Sequence, residues 1–180
     1  MAADDAWLRA EMGGTTRASV ISKPEVVAAL MKRAKRPLLI VGHETAACGP
    51  ECEAITEFIE GAARARRISV LATSHSVKDL ISKGIKVEVV MGGMEIVDRL
   101  CDPAWIGLDG EGQYDLVLIA GISYSLCWVL LSGIRNGAPA LKTITLDRVY
   151  HPNASWSFGN LAVGPWREQL QAILSLLEKG

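Results

Sequence analysis

Five short β-prone runs recur along this chain, each separated from the next by a stretch with helical periodicity or by a turn-rich loop: residues 38–41, 68–72, 87–91, 116–120 and 141–146. Runs this short, bounded by turn residues and rich in Val, Ile and Leu, read as strands covered on both faces. The intervening stretches read as helices. Ser22, Pro24 and Glu25 mark a helix start, followed by apolar Val26, Val27, Leu30, Met31 and Ala34 until Pro37 forces extension. Pro50 opens a second helix with Ile55, Phe58, Ile59 and Ala62 on one stripe. Ser76 with Asp79 caps a short helix ending near Gly84. Gly92 and Gly93 turn into another through Leu100, and a further helix starts at Tyr124. The last helix opens at Gly164 and Pro165 and carries Leu170, Ile173, Leu174 and Leu177 along one face. Strands alternating with helices imply right-handed crossovers and parallel pairing. The expected fold is therefore α/β: a three-layer, doubly wound, mainly parallel sheet in residues 21–180, preceded by an unpatterned arm over residues 1–20.

At 180 residues the chain falls within the roughly 100–200 typical of one domain. Nineteen Lys and Arg against twenty Asp and Glu leave a net charge of −1, which supplies no field for nucleic acid or anionic lipid. A hydrophobic content of 49% with mean hydropathy +0.22 fits strands buried on both faces or an apolar subunit surface. Cys48, Cys52, Cys101 and Cys127 are too scattered for a disulfide framework, so a cytoplasmic location is expected. Residues 1–11 carry Asp4, Asp5, Arg9 and Glu11 and lack the apolar core of a secretory signal. Residues 116–134 contain no charge, but serines and glycines interrupt them. They read as strand, turn and helix rather than a membrane span.

In such a sheet the ligand crevice lies beyond the carboxyl ends of the strands, where helix amino termini present free N–H groups. Four loops meet there: Gly42 and His43 after the first run, Thr73 and Ser74 after the second, Gly121 and Ser123 after the fourth, and Asp147 and Arg148 after the fifth. Small residues admit a phosphate, hydroxyls donate to it, and a strand-end acid accepts from a ribose. The same residues also suit plain tight turns, and neither GxGxxG nor a phosphate-binding P-loop motif occurs.

Other groupings are weaker. His43, Glu44, Cys48 and Cys52 resemble a metal set, but Cys52 continues the stripe of Ile55 and Ile59 and is expected in the core. No metal site and no catalytic set is expected; His75 and His151 read as turn or cap residues. The basic runs at residues 32–36 and 64–67 fall at helix carboxyl ends, where cations complement the dipole. Trp105, Trp128, Trp156 and Trp166 crowd the carboxyl-terminal half near loops, as interface anchors or core residues.

Three blocks point to a family: residues 35–42 (Lys-Arg-Pro-Leu-Leu-Ile-Val-Gly), residues 102–110 with Tyr114 and Asp115, and Leu146, Asp147 and Arg148 with residues 151–158. Together they resemble the epsilon subunit of the archaeal acetyl-CoA decarbonylase/synthase complex. The resemblance implies a small, non-catalytic cytoplasmic subunit. Its implied partner is the large nickel–iron–sulfur alpha subunit, in an alpha2-epsilon2 carbon monoxide dehydrogenase component. The parent complex reversibly cleaves acetyl-CoA, as in methanogenesis from acetate, and its metal clusters belong to alpha. The resemblance also implies a fold like the FAD- or nucleotide-binding middle domain of thiamine-diphosphate enzymes. That leaves a second expectation, a flavin-binding electron-transfer module with FAD against Gly42, Thr73, Gly121 and Asp147.

Overall fold

The computed structural model describes residues 17–46, 49–65, 68–73, 77–82 and 84–179. Along them run β1 (Ser19–Val20), α1 (Pro24–Arg33), β2 (Pro37–Val41), a 3₁₀ turn (His43–Ala46), α2 (Pro50–Ala65), β3 (Ser69–Ala72) and α3 (Val77–Ser82). There follow β4 (Val89–Val90), α4 (Gly93–Cys101), β5 (Leu116–Ala120), α5 (Tyr124–Gly137), β6 (Lys142–Thr145), β7 (Trp156–Ser157) and α6 (Val163–Glu178). The seven strands form one sheet in the order β1-β7-β6-β5-β2-β3-β4, and every pairing is parallel. From β2 the chain winds outward through β3 to β4, then returns to the other side of β2 for β5 and β6. The order therefore reverses between β2 and β5. That reversal opens a crevice at the strand tips, because the crossovers on either side leave in opposite directions.

The strand period of two sorts the sheet's side chains into two cores. Leu39 and Val41 of β2 and Leu116, Leu118 and Ala120 of β5 face a layer containing Met31, Phe58, Ile59, Leu80, Trp166 and Ile173 from α1, α2, α3 and α6. Leu38 and Ile40, with Val117 and Ile119, face Ile96, Leu100, Leu130, Leu131 and Ile134 from α4 and α5. Each large side chain fully removed from water here contributes about 2–3 kcal/mol.

Several expectations are corrected. The end of the supposed arm is part of the sheet: Ser19 and Val20 form its edge strand and pair with Trp156 and Ser157 of β7, each strand too short to leave a pattern in sequence. The Ser22–Glu25 capping box does not form. The residue ahead of α1 is Lys23, without a side-chain cap bond, and Pro24 alone pre-sets the first turn. The uncharged run at residues 116–134, by contrast, follows its reading as strand, turn and helix: β5, a tight turn at Gly121 and α5. No helix among the described residues is long and apolar enough to cross a membrane.

Arg36, read from sequence as a solvated helix end, instead organises the long loop before β5. Its guanidinium pairs with Asp109 at 2.5 Å and with Glu111 at 3.1 Å, and lies 5.2 Å from the centre of the Tyr114 ring. Beside it Asp115 accepts from the backbone N–H groups of Lys35 and Arg36 at 2.7 and 2.9 Å. Its own backbone meets Arg36 O and Lys142 N, so one residue registers the starts of β2, β5 and β6. Asp115→Ala is expected to lower stability by about 1–2 kcal/mol, read as a drop in urea midpoint. Two charge-assisted bonds are lost, and water replaces part of them at this exposed corner.

Candidate functional site

The crevice is built by four turns. Beyond β2, Gly42 sends its N–H to Ala120 O at 2.8 Å, while its carbonyl accepts from the Thr45 hydroxyl at 2.7 Å. Beyond β5, Gly121 turns the chain at φ +65, a left-handed value that disfavours any side chain. Its carbonyl accepts from Glu44 N at 2.9 Å, and its N–H donates to Asp147 Oδ1 at 2.9 Å. Asp147 follows β6 and thereby ties the three tips together. The fourth turn brings His151, which stacks on Tyr124 at the start of α5 with ring centres 4.5 Å apart.

These turns enclose a cleft of about 130 Å³ lined by Glu44, Glu51, Cys52, Tyr124, Asp147, Arg148 and His151, with Thr45, Ile55, Gly121, Ile122, Val149 and Trp166. Arg148 crosses its mouth to Glu51 at 2.7 Å. Trp166 closes the back, its indole N–H donating to Leu146 O at 2.8 Å.

Charge in this cleft is unusual. Desolvation, reinforced by the charges of Glu44 and Glu51, pushes the Asp147 carboxyl up to about 7, against the pull of the Gly121 N–H. Burial pushes the His151 imidazole down to about 4, so the ring stays neutral. Burial, then the charges of Asp147 and Glu44, holds the Cys127 thiol well above its usual range. Asp147 Oδ2 and His151 Nδ1 are sealed from water and have no hydrogen-bond partner. An unmet buried polar atom costs about 1–3 kcal/mol. Chemically the cleft can take up and release a proton near neutrality and attracts positive charge. Among the described residues, no three His, Cys, Asp or Glu side chains are grouped to hold a metal ion.

Set against known proteins, residues 7–174 match the model of one family, described as CO dehydrogenase beta subunit/acetyl-CoA synthase epsilon subunit. The chain belongs to this family. It is 38% identical over 159 residues to the acetyl-CoA decarbonylase/synthase complex subunit epsilon of Methanothrix soehngenii, covering 87% of this chain and 82% of that protein. It is 36% identical over 154 residues to subunit epsilon 1 of Methanosarcina barkeri, with 86% of each chain covered. The subunit epsilon of Methanothermobacter thermautotrophicus is 32% identical over 167 residues, covering 93% and 92%.

Within this epsilon fold, the residues expected at a cofactor site are only partly brought together. Gly121, Asp147 and Arg148 line the cleft. Gly42 lies against Gly121 rather than facing open space: a Cβ on Gly42 would sit 2.1 Å from Gly121 O, and one on Gly121 would sit 2.3 Å from Thr45 Cγ2. Both glycines serve the approach of turn to turn. His43 is exposed at the start of the 3₁₀ turn, Thr73 lies half-buried past β3, and Ser123 precedes α5 without a side-chain cap bond. None of these three lines the cleft. Ser74, with His75 and Cys48, lies outside the described residues.

Among the described residues, nothing in this arrangement supports a dinucleotide. The space is well below the roughly 300 Å³ at which small-molecule sites begin, and the phosphate-cradling role proposed for the glycines is taken by backbone. Sequence reasoning missed Glu51, Trp166 and the lining role of Cys52. Far from sitting wholly in the core, Cys52 is half-buried and its thiol donates to Glu44 O at 3.0 Å. Glu51 carried one readable signal, an acidic residue in the first turn of a helix beside a strand tip.

Proposed function

We propose that this chain is the accessory epsilon subunit of the carbon monoxide dehydrogenase component of an acetyl-CoA decarbonylase/synthase complex. It pairs with the large nickel–iron–sulfur alpha subunit as alpha2-epsilon2, works in the cytoplasm and stabilises its partner. The observation that carries the reading is the family match across residues 7–174, together with relatives matched over 82–92% of their own lengths that all bear the epsilon name. A likeness this extensive covers both layers of helices and the strand-tip turns, not an isolated motif. The reactions of the parent complex then belong to the alpha subunit's clusters, and this chain contributes binding surface.

The test is co-expression of a tagged copy with the alpha subunit, followed by size-exclusion chromatography with light scattering. The expected result is one peak with the mass of two copies of each chain, and slower thermal inactivation of alpha than in its absence. Elution of the two chains as separate peaks would defeat the proposal.

A further inference from the structure

Two orphaned acceptors in one small cleft define the chemistry of what completes it. His151 is 2% exposed, and its Nδ1 has no partner. A neutral ring with its proton on Nε2 offers Nδ1 as an acceptor, and an ionised Asp147 offers Oδ2 likewise. Asp147 and His151 both line the cleft while these two atoms are sealed from water, so meeting them takes a side-chain adjustment of the size common at interfaces. The groups facing Asp147 add negative potential. Glu44 comes from the 3₁₀ turn and Glu51 from α2, whereas Arg148 is engaged by Glu51 and by Leu161 O. The remaining titratable groups, Cys52, Cys127, Tyr124 and His151, bring no positive charge. The collar is apolar, made of Ile55, Ile122, Val149 and the Tyr124 ring. A space of about 130 Å³ is close to the ~150 Å³ cavity that admits one benzene ring, so it holds a single side chain.

A donor-only cation on an aliphatic stem meets each of these conditions. Guanidinium carries its N–H donors in a planar fork and has no acceptor to leave unmet. We propose that the strand-tip cleft is a socket for a basic side chain, an arginine, presented by the partner subunit. The proposal rests on the subunit reading above and adds where and how the partner is gripped. The stem packs on the Tyr124 ring and the apolar collar, and the head reaches Asp147 and His151. The Asp147 carboxyl gives its proton to solvent as the cation docks.

Calorimetric titration of the full chain with the alpha subunit, in phosphate and in Tris at pH 6 and 8, reads both affinity and protons released. Affinity is expected to tighten about tenfold from pH 6 to pH 8 as Asp147 ionises, with proton release at pH 6. D147N should lose the pH dependence and the proton release, and bind at least about tenfold more weakly at pH 8. A second readout on the full chain alone covers the case in which D147N does not fold. Millimolar propylguanidinium should shift the Gly121 amide resonance saturably, whereas sodium chloride at equal concentration should not. Association that is flat in pH and indifferent to D147N, or an unmoved Gly121 amide, would overturn the socket and leave the subunit reading standing. No association of the unmodified chain at either pH removes the subunit reading, and the socket with it.

Discussion

Asp147→Asn makes the chain more stable at pH 8 than the parent, by up to about 4 kcal/mol, and no more stable at pH 4. The carboxyl's value of about 7 in the folded chain stands above the ordinary 3.8. Between those two pH values the native state therefore holds a proton that the unfolded chain has released. Stability consequently falls as pH rises through this window, and levels off above 7 when both states are ionised. Three units of separation correspond to about 4 kcal/mol, and relaxation of the cleft makes that an upper bound. The amide retains an oxygen for the Gly121 N–H, which donates to Asp147 Oδ1 at 2.9 Å, so the turn geometry survives the change. Urea titrations of both proteins from pH 4 to 8.5 measure the difference directly. Parallel profiles would show that the carboxyl ionises freely and that the cleft imposes no penalty on its charge.

Gly42→Ala is expected to cost about 3 kcal/mol or more, at the top of the range for overpacking. The new Cβ meets a backbone carbonyl, Gly121 O, at 2.1 Å, and Ile122 Cγ1 at 2.5 Å. A carbonyl at the tip of a central strand has nowhere to go. Moving it breaks the bond from Glu44 N at 2.9 Å and strains the neighbouring bond from Gly42 N to Ala120 O at 2.8 Å. Gly61→Ala is the matched control, because its new Cβ meets only the branched end of Leu174, at 2.8 and 2.9 Å, which can rotate. Inside α2, alanine also recovers about 1 kcal/mol of helix propensity. Comparing urea midpoints of the two variants separates backbone collision from side-chain crowding. A Gly42→Ala loss no larger than that of Gly61→Ala would mean that the turns are not in contact as described.

The interior of the sheet was legible because its strands are buried on both faces and so carry continuous apolar runs, as Leu38 to Val41 and Leu116 to Ala120 do. The parallel arrangement followed from the helical stretches between them. The β1–β7 end of the sheet was not legible, whereas β4 at the opposite edge falls within the run read at residues 87–91. Ser19–Val20 and Trp156–Ser157 are held by register with a distant strand, which leaves no local periodicity. The strand-tip turns were readable as a neighbourhood, and Gly121, Asp147 and Arg148 do share one cleft. What filled that neighbourhood was not readable. Glycine looks the same in sequence whether its missing Cβ makes room for a phosphate or for another turn, and only the approach of Gly42 to Gly121 distinguishes the two. His151 passed as a turn residue because its burial depends on the Tyr124 ring, supplied from a different element.

The pairing of Ser19 with Trp156 also sets a schedule for biosynthesis. Ser19 and Val20 leave the ribosome well before their hydrogen-bonding partners, which follow more than a hundred residues later in the chain. At roughly 5–20 residues per second the wait is on the order of ten seconds. During that interval Ser19 and Val20 lack the strand they pair with. The β1–β7 seam therefore closes only after the segments of all the central strands, β2, β3, β5 and β6, have been made.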